Sequence, residues 1–175
     1  TYRALNQPAL DALFLQLRER SGVEFFERRS QARELKQFLS IPGAMLGILG
    51  DQHAGDRGLW LPFFGIPCSC SASTALLALR YNATLRSAFC FRTRLAHWRL
   101  EMGPEIPTAH PDGTPRSPEE LTRDINAAYE AAIRRDPANW FWVHRRWKPM
   151  SKIQERRRAA AAAATSAGPA PTDTF

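Results

Sequence analysis

The chain has 175 residues, enough for one domain with a real core, in which roughly two-thirds of the unfolded surface is buried. Apolar residues make up 44% and charged residues 23%, an ordinary globular balance, and no run of about 18 apolar residues exists to cross a bilayer as a helix. The net charge of +7 is concentrated in residues 134–158, where Arg134, Arg135, Arg145, Arg146, Lys148, Lys152, Arg156, Arg157 and Arg158 face only Asp136 and Glu155, while the remainder is neutral in sum. Such an end attracts phosphates on lipid head groups, nucleic acid or an acidic carrier protein, or is simply a solvated charged face. The first residue is Thr1, which reads as a start inside a longer product or after processing, and no signal-peptide pattern is present.

Residues 8–20 place Leu10, Leu13, Phe14 and Leu17 at helical spacing, with Gly22 as a stop. Residues 23–26 suggest a short strand, and Ser30 is positioned to cap a helix running to about Leu39. Pro42 and Gly43 mark a turn. Residues 44–49 are continuously apolar and short, as in a central strand buried on both faces, with Leu46, Ile48 and Leu49 inside. A polar, glycine-rich loop follows from Gly50 to Gly58. Residues 59–64 are extended and aromatic, 69–80 helical, and 84–91 and 97–102 two strands, followed by a loop over 103–116. Ser117-Pro118-Glu119-Glu120 is a capping box with proline at the first helical position, and its helix should reach about Arg135. A further basic, alanine-rich helix is expected over 151–164 and a disordered tail over 165–175. Residues 1–150 then form the main domain. Alternating helices and short apolar strands predict an α/β fold with a mixed, largely parallel sheet flanked by helices.

The chemistry-bearing residues are few. Loop 50–58 is neither a Walker A loop nor a dinucleotide fingerprint, since no Gly-Lys-Ser/Thr follows and the glycine spacing differs. A loop after a buried strand nevertheless lines the ligand crevice of open α/β sheets, where Asp51, Gln52 and His53 would meet a substrate. The pattern alone leaves this even with a plain glycine-rich connection. Cys68, Cys70 and Cys90 cannot close a disulfide framework, lack the pairing of a zinc site, and read as small buried thiols. No serine-nucleophile or zinc-protease motif accompanies the histidines. Residues 140–148 set three tryptophans beside three cations. That mixture suits a bilayer interface, stacked nucleic-acid bases, or a packed core with arginines on carboxylates.

Three segments in order resemble one family. They are the Gly50-Asp51-Gln52-His53 loop up to Gly58, the run Leu-Trp-Leu-Pro-Phe-Phe-Gly-Ile-Pro from Leu59 to Pro67, and the run Asn-Trp-Phe-Trp-Val-His-Arg-Arg-Trp-Lys from Asn139 to Lys148. Tyr2, Arg3 and Asn6 before the first helix fit the same pattern. Together they look like the bacterial lipid A biosynthesis acyltransferases, within the glycerolipid acyltransferase superfamily.

The resemblance implies transfer of a fatty acyl chain from acyl carrier protein, or acyl-CoA, to a hydroxyl of a lipid A-type glycolipid at the cytoplasmic face of the bacterial inner membrane. It implies contact with an anionic membrane surface, no nucleic acid, no metal and no cofactor beyond the thioester donor. A non-catalytic phosphate-binding module for anionic lipid or nucleic acid is the alternative. By resemblance, Arg3 matches an acceptor-phosphate arginine, and Asp51 and Gln52 match the acidic motif near the catalytic centre. Pro62 and Phe63 match a wall-forming motif, and His144, Arg145 and Arg146 the basic ending. The family's general base is a histidine five residues before an Asp or Glu. Here the fifth residue after His53, His97, His110 and His144 is Gly58, Met102, Pro115 and Pro149. The catalytic pair is therefore expected upstream of Thr1, with this chain a C-terminal part of the enzyme that is inactive alone.

Overall fold

The structure is a computed structural model that describes Tyr2 and residues 4–27, 30–152, 155, 156 and 159. Its elements run α1 (Pro8–Glu19), α2 (Ala32–Leu39), β1 (Leu59–Phe63), β2 (Ile66–Cys70), α3 (Ser73–Arg80), β3 (Leu85–Arg94), β4 (His97–Ile106) and α4 (Pro118–Arg135), then a 3-10 turn at Pro137–Asn139. Lys152, Glu155, Arg156 and Ala159 are helical, whereas the tail expected over 165–175 and much of the helix over 151–164 lie outside the described residues.

The mixed α/β class holds, but the largely parallel sheet does not. The strands form two antiparallel pairs, β1 with β2 and β3 with β4. The cause is local. Phe64 and Gly65, with φ of 51° and 76°, form a two-residue connection in which both residues are left-handed, the backbone that lets a tight hairpin match strand twist. A parallel pair would need a crossover of a dozen residues or more, for which 64–65 has no room. Leu95 and Ala96 join β3 to β4 equally tightly, Ala96 carrying φ 57°. Reading 69–80 as one helix therefore missed β2, because Cys68, Ser69 and Cys70 finish a strand before α3 begins. The loop expected over 103–116 is likewise shorter, since β4 continues to Ile106.

The central strand expected over 44–49 is absent. That stretch is extended and its exposure alternates residue by residue, but it joins no ladder, and Leu49 is 82% exposed. Residues 23–26 form no strand either; a single bridge joins Tyr2 to Glu27. Ser30 does not cap α2, because its hydroxyl donates to the Glu27 carboxylate and Gln31 takes the N-cap position. The apolar stripe of α1 forms as expected, yet neither α1 nor α2 contains a buried residue.

Packing centres on α4. Ser117 supplies the capping box, its hydroxyl accepting from the Glu120 amide. From that start, Leu121, Ile125 and Ile133 recur on one face and are buried. The first part of the helix packs with Ala75, Ala78, Leu85 and Ile106. Ile133 joins Leu61, Phe63, Cys68 and Cys70 in a second cluster, flanked by Trp140 and Trp147, and Tyr129 touches both. Full burial of side chains such as Leu61 or Phe63 stabilises by about 1.5–3 kcal/mol each.

Candidate active-site scaffold

The three segments that looked alike in sequence meet in space, and Arg146 is where they meet. Its side chain is completely buried. Nη1 donates to the Gln52 carbonyl at 2.9 Å and the Ser69 carbonyl at 2.6 Å. Nη2 donates to Cys70 Sγ at 3.2 Å and Asn126 Oδ1 at 3.5 Å. The guanidinium also lies 5.1 Å from the centre of the Phe63 ring. One residue thus ties loop 50–58, β2, α4 and the aromatic core. No carboxylate among the described residues pairs with Arg146.

A pair of sulfurs lies beside Arg146 instead. Cys68 and Cys70 lie two apart on β2, so their side chains share a face, with sulfurs 3.8 Å apart. The Asn126 amide and Arg146, each at 3.2 Å, direct donors at Cys70 Sγ, which also lies 3.5 Å from the Cys68 carbonyl. The Cys68 hydrogen bond is the largest of several effects that pull the Cys70 thiol down to about 5, against its burial, while Cys68 moves up. Cys70 is therefore the group beside Arg146 whose charged form its surroundings favour. Cys90, by contrast, is exposed.

Loop 50–58 is strapped down along its length. His53 N–H donates to His144 Nε2 at 2.8 Å, and Ala54 N–H to the Ser69 carbonyl at 3.2 Å. The Ser69 hydroxyl donates to the Gly55 carbonyl, and Asp56 accepts from the Ser151 amide at 3.3 Å. Burial first, then the charges of Arg146 and Lys148, push the His53 imidazole towards its neutral form, against a backbone interaction with Lys148. Two glycines permit this closeness. A Cβ on Gly58 would fall on the Ser69 hydroxyl and 2.8 Å from the Cys70 carbonyl, and one on Gly50 would fall 2.6 Å from the Tyr129 hydroxyl.

The strapping presents Asp51. Its carboxylate accepts from Trp140 Nε1 at 3.2 Å and lines a cavity of about 200 Å³, bounded by Ile48, Leu49, Phe89, Phe91, Tyr129 and Asn139 among others. Burial, then the neighbouring Asp51 charge, raise the Tyr129 hydroxyl to about 12, so it is a neutral donor and acceptor at ordinary pH. The cavity is largely apolar, with two carboxylates (Asp51 and Asp136), a phenol and an amide in its lining, the pattern of a site that holds an apolar ligand and orients one polar end.

Of the other sequence-selected residues, Phe63 is fully buried in the scaffold, whereas Pro62 is exposed and offers only its carbonyl to Asn126, at 3.4 Å. Arg145 is exposed beside buried Arg146, and Arg3 lies outside the described residues. Tyr129, Asn126 and Cys70 were not selected from sequence. The signal for Asn126 and Tyr129 was present in α4, where both fall in the i, i+3/i+4 series of Leu121, Ile125 and Ile133.

The tryptophans divide. Trp140 and Trp147 stack around Phe63, with ring centres 5.8 and 5.7 Å from it, and belong to the core. Trp142 is 53% exposed. Arg134 pairs with Glu130 and lies over Phe64, and Arg135 pairs with Glu101 and lies over Phe91. Three of the nine cations of the basic end, Arg134, Arg135 and Arg146, are thus engaged internally. No helix among the described residues is long and apolar enough to cross a membrane, and no cluster of potential metal ligands occurs among them.

A comparison with curated proteins finds no match. The family model for bacterial lipid A biosynthesis acyltransferase matches residues 1–149, a span that contains the Arg146-centred scaffold and the Asp51 cavity. The chain belongs to the bacterial lipid A biosynthesis acyltransferase family.

Proposed function

We propose that the protein moves a fatty acyl chain from acyl carrier protein, or acyl-CoA, to a hydroxyl of a lipid A-type glycolipid at the cytoplasmic face of the inner membrane. The described region supplies the scaffold and part of the substrate wall. The observation that carries this reading is the convergence of loop 50–58 and residues 139–148 on Arg146, which sets Asp51 at the rim of an apolar cavity. Gln52 takes part through its backbone, Pro62 and Phe63 as fixed wall, and His144 by holding the His53 amide. Arg145 is free of internal ion pairs among the described residues and is assigned, with Arg3, to acceptor phosphates.

Acyl transfer needs a base to take the hydroxyl proton. No histidine in the chain has a carboxylate at the family spacing. A positioned base commonly contributes about 10²–10⁴-fold. The 175-residue chain alone is therefore expected to leave acyl-carrier thioester and lipid A precursor unreacted. The full gene product should transfer the chain and lose at least tenfold in kcat/KM with Asp51→Asn. Full-length protein that carries the upstream histidine–acid pair but turns over neither thioester would sink the reading.

A further inference from the structure

The β3–β4 hairpin has no part in the scaffold at its outer end, and its surface is unusual. Trp98, Leu100 and Met102 lie two residues apart on β4 and so share one face, where they are 59%, 68% and 57% exposed. Across the ladder they face Arg92, Cys90 and Ala88, which are exposed too. At the turn Leu95 is 80% exposed. The opposite face is occupied: Phe89 packs on Tyr129, Phe91 is buried, and Glu101 holds Arg135.

Charge reinforces the asymmetry. No acidic residue occurs between Asp56 and Glu101, whereas Arg86, Arg92, Arg94 and Arg99 all lie on the hairpin. Arg99 pairs with Glu101 and Arg86 with Glu105, but Arg92 and Arg94 pair with no carboxylate among the described residues. The tip is internally braced: Arg94 Nη2 lies 2.8 Å from His97 Nε2, and His97 Nδ1 2.9 Å from the Leu95 carbonyl. Asn139 fastens the hairpin to the end of α4 through the Cys90 carbonyl at 2.6 Å and the Arg92 amide at 3.2 Å. It is a stiff finger with an apolar face and a cationic, acid-free end.

We infer that the β3–β4 hairpin is a membrane-docking finger, with Leu95, Trp98 and Leu100 entering the head-group boundary of an anionic bilayer and Arg92 and Arg94 meeting its phosphates. Tryptophan and leucine favour that boundary, and unpaired arginines beside them are drawn to anionic lipid. A protein partner suited to the same face would need to cover an apolar strip and offer acids to the tip, whereas anionic lipid supplies both within a few ångströms. The finger differs from the basic end at 134–158. It rests on the acyl-transfer reading only in expecting a bilayer as the working surface.

The test is partition of the 175-residue chain onto vesicles of phosphatidylglycerol and phosphatidylethanolamine, followed by co-sedimentation. Arg92→Gln with Arg94→Gln should weaken binding about 25-fold, at about fivefold per charge, and Leu95→Asp should weaken it at least tenfold. Brominated lipids should quench the wild-type tryptophan emission, and Trp98→Phe should remove the largest part of that quenching. Far-UV circular dichroism checks that the variants, all at exposed positions, remain folded. Binding and quenching unchanged by these substitutions would overturn the inference and leave the face to a protein contact. Vesicle binding with no acyl transfer by the full gene product would instead count against the proposed function alone.

Discussion

Replacing Arg146 with alanine tests whether one buried cation organises the scaffold. The loss can be built from its contacts. Two carbonyls, at Gln52 and Ser69, would each lose a charged donor, and Asn126 Oδ1 and Cys70 Sγ would lose theirs. Leaving a buried acceptor unsatisfied costs about 1–3 kcal/mol, and breaking a buried charge pair about 3–5 kcal/mol. These terms overlap, because Cys70 can take up a proton once the cation is gone. A net loss of about 3–5 kcal/mol follows, a large part of the about 5–15 kcal/mol that holds a typical domain together. Arg146→Lys keeps the charge but not the flat fork that reaches both carbonyls at once, so it should fall between. Exposed Arg145→Ala is the internal control and should stay within about 0.5 kcal/mol. Urea unfolding followed by tryptophan fluorescence measures all three. Arg146→Ala within about 1 kcal/mol of the parent would refute the scaffold argument, since a solvated arginine behaves that way.

Two further outcomes follow from the same region. Gly58→Ala should destabilise by about 1–3 kcal/mol, because its Cβ meets the Cys70 backbone at 2.8 Å, while Gly113→Ala, with φ 85° but open space around it, should cost only about 1 kcal/mol of backbone strain; equal midpoints in urea would show that the loop yields. The second outcome concerns pH: with the Cys70 thiol held near about 5 when folded and near about 8.5 when unfolded, the unfolded chain binds the extra proton between those values, so stability should rise with pH through that window, by up to about 1.4 kcal/mol per pH unit, and be lost as pH falls through the folded value. Cys68, moved up rather than down, is protonated in both states there and adds no slope. Cys70→Ala should flatten the dependence of the unfolding free energy on pH, and a slope that survives the substitution would place the titrating group elsewhere.

How far the sequence carried can be argued from particular positions. The Ser117 capping box, the helices of α1 and α4 and the two strands after residue 84 were legible because each is announced by local chemistry: a cap, a proline, a period. The sheet topology was misread because its decisive signal is a two-residue turn, Phe64-Gly65, with an aromatic at a left-handed position where Asn or Asp is commoner. The apolar run at 44–49 was read as a buried strand because burial and apolarity usually coincide. In the described structure it gains cover on alternate residues only, and nothing pairs with its backbone as a ladder.

The sharpest contrast is between Arg145 and Arg146, which are indistinguishable by composition, charge count or local propensity. One is exposed, and the other is the most enclosed cation in the described structure. What separates them is non-local: only Arg146 finds two carbonyls, a thiol and an amide arranged around it, and those acceptors come from residues 20 to 94 positions away. A basic run therefore carries two kinds of information. Part of it is free surface charge, available to phosphates, and part is held in contacts within the protein that weaken its outside field. Counting the whole +7 as a lipid-attracting surface overstates that field, because Arg146 is buried against Cys70 and Arg134 and Arg135 already hold acids. The hairpin makes the complementary point. Its arginines vanish into a sum that is neutral across the rest of the chain, yet they stand together at one tip with no acid beside Arg92 or Arg94. Charge acts through where the fold puts it, so the stronger lipid-facing surface need not be the stretch with the larger sequence charge.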